Sequence, residues 1–249
     1  MIGERMRSCW WALLVVLCTV TTSCGEADDG TEGGMQKSPW PLPRACVPPS
    51  GMGSPATIEE VVALINALPK PTSLACVLES LDRPLAMYAS TSIASAQPAA
   101  GPHSPRVFVF RDDLTMSVVL EGNSRDTLEL SYAIGDRLSI KAELVFPVEE
   151  VLEPSAPYDQ VAVGGGTTCG VCHGSEVTVP SLDFAEAWAS DVFQDDPDEA
   201  LSRSFLRQLA LDCDHETEPE RCELLDAIFG HGELEPGDLP RDSLVCRPP

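Results

Sequence analysis

An α+β fold is what the sequence predicts, on three observations. Apolar residues recur at helical spacing over residues 58–68 and 74–81, the period falls to two from Leu85 to about Phe146, and helical spacing returns after Pro180. The expected architecture is an N-terminal helical hairpin packed on an antiparallel β-meander, followed by a small helical region.

The chain opens with Arg5 and Arg7 before an apolar run from Trp10 to Val20, then Thr21, Thr22 and Ser23 before Cys24. This stretch resembles a bacterial lipoprotein signal. The resemblance implies that residues 1–23 are removed, that Cys24 is lipidated, and that the protein is exported to the periplasm or cell envelope as a membrane-anchored lipoprotein. Thr21 stands where that family usually has Leu. The apolar run is too short to span a bilayer and stay as an anchor. Residues 24–44 are rich in Gly, Asp, Glu, Ser and Pro and read as a flexible tether.

Thr57 and Glu60 form a capping box, and Ile58, Val61, Val62, Ile65 and Leu68 make one apolar stripe that Pro69 ends. A second helix follows Ser73, with Leu74, Val77, Leu78 and Leu81 on one face. Cys46 and Cys76 bracket this hairpin and are expected to pair, since an exported chain meets an oxidising compartment. Strands are expected at Val107–Phe110, Leu114–Leu120, Thr127–Ile134 and Leu138–Phe146, separated by Asp- and Gly-containing turns. Leu128, Leu130, Tyr132 and Ile134 alternate with polar residues, as do Leu138, Ile140, Ala142 and Leu144. One sheet face is therefore expected to be buried and the other wet. Together these elements make an α+β domain over residues 45–160.

Residues 152–166 read as a loop, with Gly164, Gly165 and Gly166 as a hinge into the segment at residues 169–173; no Lys-Ser/Thr pair comes after the glycines, so they are no phosphate loop. After Pro180, Ala185, Trp188, Ala189 and Val192 share a helical face. A capping box at Asp196–Glu199 introduces a second helix carrying Leu201, Phe205, Leu206 and Leu209. A third runs from Thr217 to a stop at Gly230. Cys213 and Cys222 at facing helix ends are expected to pair, which leaves Cys246 alone.

Between loop and helices lies Cys169-Gly170-Val171-Cys172-His173, the one place where two cysteines and a histidine fall at a spacing with known chemistry. With ten Cys and four His in the chain, random placement produces the pattern with a probability of about 0.006. Two thiols three positions apart can each join one porphyrin vinyl group, and the adjacent imidazole can ligate the iron. At these five residues the chain resembles the c-type cytochromes. The resemblance implies one covalent haem c on Cys169 and Cys172, His173 as proximal ligand, and electron transfer rather than catalysis. Residues 161–249 would then be the haem region, with its helices as the apolar pocket. All six Met lie before residue 117, so the distal ligand is expected from His231 or His215, with His103 and Met116 as candidates from the other domain.

Two other readings compete. In one, the protein is a haemless binding or structural lipoprotein with Cys169 and Cys172 as a disulfide. In the other, zinc is held by Cys169, Cys172, His173 and either His215 or Cys213. Removing Glu4, Arg5 and Arg7 with residues 1–23 leaves 14 basic and 38 acidic residues, a net charge of -24. That charge excludes nucleic acid as a partner and favours a basic redox partner. No nucleophile and base pair of a hydrolase is evident.

Overall fold

Thr57 accepts the Glu60 amide at 3.2 Å and the Glu60 carboxylate accepts the Ala56 amide at 2.6 Å, so the capping box forms with its return bond one residue upstream. In the computed structural model, which describes residues 40–95, 97–135, 137–239 and 244–245, it opens α1 (Ile58–Ala67), and Ser73 caps α2 (Leu74–Ser80). The expected signal peptide, Cys24, most of the tether and Cys246 lie outside the described residues.

The alternating segments become β1 (Leu85–Ser90), β2 (Arg106–Arg111), β3 (Leu114–Val119), β4 (Thr127–Ala133) and β5 (Leu138–Val145), each antiparallel to the next. The first of these begins where the period falls to two, at Leu85, but lies in none of the four expected strand ranges. A short helix, α3 (Ala156–Val161), comes next, then a ribbon of β6 (Ala162–Val163) and β7 (Gly166–Thr167), then α4 (Gly170–His173). Beyond these come β8 (Val177–Thr178), β9 (Trp188–Asp191), β10 (Phe193–Gln194), α5 (Arg203–Leu211), α6 (Pro219–Phe229), β11 (Leu234–Pro236) and β12 (Leu244–Val245). One eight-stranded sheet runs β11-β1-β2-β3-β4-β5-β9-β8, parallel only where β11 meets β1. The fold is α+β with a mainly antiparallel sheet, and strands from both sides of residue 160 share it.

The alternation decides what each sheet face does. Val107, Val109, Leu114, Met116, Leu128, Leu130, Ile140, Ala142 and Leu144 join one buried cluster with Ile58, Val61 and Leu64 of α1, and with Val77 and Leu78 of α2. Leu206 and Ala210 of α5, and Leu225 and Ile228 of α6, belong to the same cluster. The expected pairs close it: Cys46 bonds Cys76 and Cys213 bonds Cys222.

Three local expectations are corrected. The helix expected over Ala185–Val192 is strand β9, which pairs Ile140 with Ala189 and covers the open edge of β5. Five apolar residues in eight positions do not separate the two periods, and an unpaired edge settles the choice. The loop at 152–166 contains α3, because Pro157 sits in the first turn, where its missing N–H is no loss. The box at Asp196 opens only a 3-10 turn, and Ser202 caps α5 instead.

Candidate functional site

The segment carrying Cys169, Cys172 and His173 is positioned by backbone geometry on both sides. Gly164 and Gly165, at φ 54° and 85°, form the turn of the β6–β7 ribbon, so the glycine run is a tight turn with a fixed exit and not a hinge. From there the chain enters α4, a single helical turn in which the Cys172 and His173 amides both reach the Cys169 carbonyl, at 3.1 and 2.9 Å. Gly174 at φ 56° ends it. Glu176 then folds back across the turn: its carboxylate accepts the Thr167 amide at 2.9 Å and also bonds the Thr167 hydroxyl. The Thr167 hydroxyl in turn accepts the Gly170 amide at 3.3 Å.

This geometry brings the three predicted residues together. Cys169, Cys172 and His173 line one cavity of about 450 Å³. His173 Nδ1 lies 2.8 Å from the Asp191 carbonyl oxygen on β9, and its ring packs on Phe193 at 5.2 Å. A carbonyl only accepts, so the proton sits on Nδ1 and Nε2 keeps its lone pair. Burial, then the charges of Lys141 and Arg106, hold the imidazole down to about 4, so it is neutral at pH 7. Cys169 and Cys172 are free thiols. Burial raises the Cys169 thiol, with Glu129 adding to the shift, whereas Cys172 is exposed.

The cavity floor is the second face of the sheet. Arg106, Phe108 and Phe110 of β2, Thr115 and Ser117 of β3, Glu129 and Ser131 of β4, and Ser139 and Lys141 of β5 line it. Those on β4 and β5 are the alternate positions expected to be wet. Residues from the motif segment and from Val192 and Phe193 line the same cavity, and Ser139 and Lys141 are left only 1% and 7% exposed. Arg106 pairs with the Glu129 carboxylate, donates to Ser117 Oγ at 3.0 Å and stacks 4.7 Å from the Phe108 ring centre. Lys141 donates to Ser139 Oγ at 2.8 Å, and burial pushes its ammonium down to about 8.

Other predicted residues lie elsewhere. His215 pairs with Asp226 at 3.3 Å and His231 Nδ1 faces the Leu42 carbonyl at 3.3 Å; neither lines the cavity. Nor does any residue of α5 or α6, so the helices expected as the apolar pocket pack on the opposite sheet face. Cys213 is committed to its disulfide, which removes it as a zinc ligand. Sequence reasoning missed Arg106, Glu129 and Lys141. Their signal was a charged residue at alternating positions of three strands, but only strand register places them around one space.

Two free thiols and an imidazole with an unbonded Nε2 thus line one cavity, a donor set suited to covalent attachment and metal ligation. Comparison with family models, curated proteins and solved structures finds no match.

Proposed function

We propose that the chain is an exported, monohaem c-type cytochrome-like lipoprotein that binds haem covalently and transfers electrons. The observation that carries this reading is the convergence of Cys169, Cys172 and His173 on one cavity, with His173 Nε2 left free by the Nδ1 bond to Asp191. A neutral imidazole oriented by a backbone carbonyl is how axial histidines are usually held. When bound, haem supplies one-electron chemistry. The chain itself would anchor the cofactor edge through Cys169 and Cys172 and fix the imidazole plane through Asp191 and Phe193, with Phe108 and Phe110 supplying apolar floor to the cavity.

Cys172 is exposed and Val171 is 87% exposed, so the anchored edge lies where a partner can approach it. The acidic surface favours a basic one. Lipidation at Cys24 would hold the protein at the membrane; among the described residues no helix is long and apolar enough to cross one. The two disulfides accord with export.

The test is expression of the full chain with a c-type maturation system. Haem that stays with the polypeptide through denaturing electrophoresis and acid extraction is expected. Its absence would hand the site to the haemless binding lipoprotein.

A further inference from the structure

We propose that Lys141 makes this cavity a small-anion site. With haem bound, a monovalent anion the size of azide or nitrite would be taken up at the iron, its charge met by the Lys141 ammonium. The inference rests on the haem reading and names what the same site takes up.

Three observations carry it. First, the cavity lining offers neither of the usual second ligands of a c-type haem. Among the described residues it contains no methionine and no histidine besides His173. His103 is engaged by Glu218 and Arg221, His215 by Asp226 and His231 by the Leu42 carbonyl, while Met116 belongs to the core on the opposite face. Second, Lys141 is a buried cation with no carboxylate within ion-pair distance. It makes no ion pair among the described residues, and the nearby Glu129 carboxylate is held by Arg106. An unpaired buried charge carries a desolvation penalty that an anion beside it offsets. Third, hydroxyl groups are arranged to donate. Ser139 Oγ accepts from both Lys141 and Ser131, each at 2.8 Å, which fills its acceptor capacity and leaves its own proton to give. Ser190, opposite Ser139 in register, does not line the cavity, but its buried hydroxyl has no partner among the described residues. Lys141 and Ser139 therefore offer an ammonium and a hydroxyl proton to the same guest, while the Arg106 charge is already balanced.

Uptake of the anion changes no oxidation state. The anion would bind through its own lone pair, and any water it displaced would leave intact.

The experiment uses the full-length, haem-loaded protein in its ferric state, titrated with sodium azide and separately with neutral imidazole, with the Soret band as readout. Wild type is expected to be high spin without added ligand and to turn low spin with azide. Lys141→Met should weaken azide binding by about tenfold or more, the loss of a charge-assisted contact, and leave imidazole affinity within about threefold. Lys141→Arg keeps the charge and should retain most of the azide affinity, so a folding defect in one variant does not decide the matter. A haem-loaded wild type that is already low spin, or azide affinity equal in wild type and Lys141→Met, overturns the anion site alone. A wild type that takes up no haem overturns the haem reading and this inference with it.

Discussion

His173 donates its Nδ1 proton to the backbone carbonyl of Asp191, 2.8 Å away, so the imidazole is aimed by strand β9 and not by a side chain. The β9 backbone is fixed in turn by pairing with β5, Ser139 opposite Ser190 and Ile140 opposite Ala189. Asp191→Asn should therefore leave the haem spectrum unchanged, whereas His173→Gly should remove the proximal ligand while both thioethers remain. Free imidazole added to His173→Gly is expected to restore the wild-type spectrum by filling the vacated space. No response to imidazole, with covalent haem present, would show that His173 does not face the iron.

A second prediction concerns the turn itself. A Cβ built at Gly170 overlaps the Glu176 carboxylate, which is tied to the Thr167 amide and hydroxyl. Gly170→Ala must displace Glu176 and release Thr167, with a loss on the order of 1 kcal/mol in stability and a lower yield of haem-bearing protein. Glu176→Ala in the same chain removes the obstacle. The double variant should carry more haem than Gly170→Ala alone; equal yields would mean that the glycine answers to the maturation system and not to the fold.

The same residues explain why the sheet was legible in the sequence and the cavity was not. Leu128, Leu130, Ile140 and Ala142 announce a buried face by their spacing alone. Glu129, Ser131, Ser139 and Lys141 show only that the other face is polar. Whether such a face meets water or a covered cavity depends on residues 166–193 folding over it, and contacts that distant in sequence leave no periodic trace. The motif was legible because its five residues are contiguous. His231 and His215 misled as distal ligands because sequence distance says nothing about which sheet face a helix covers; α6 lies with α2 on the core side.

The disulfides should differ in worth. Cys46 and Cys76 are 30 residues apart and Cys213 and Cys222 nine apart. Loop-closure entropy then assigns about 4 kcal/mol to the first and about 3 kcal/mol to the second. Urea unfolding of Cys46→Ser/Cys76→Ser and of Cys213→Ser/Cys222→Ser measures both. The second bond closes the α5–α6 turn on the side away from the cavity, so its removal should leave haem content unchanged in protein that remains folded. A loss of haem there would tie the two faces together more closely than the packing does.

Lys141 gives the prediction that separates function from stability. Burial brings its ammonium from an ordinary 10.5 down to about 8, with Arg106 lowering it further while Cys169, Glu129 and Asp191 pull the other way. Between pH 8 and 10.5 the unfolded chain holds this proton more firmly than the native one, so stability rises with pH across that window. The cost of keeping the group charged is therefore full below about pH 8 and fades above it, with a span on the order of 3 kcal/mol. Lys141→Met carries no such cost. In anion-free buffer it should be the more stable protein at about pH 7, and its advantage should shrink as the pH approaches 10.5, measured as the difference in urea midpoint at each pH. A residue kept at the expense of stability in a cavity is what a binding role requires. If Lys141→Met is instead less stable at neutral pH, the Ser139 hydroxyl alone satisfies the ammonium, and the case for an anion beside it loses its base.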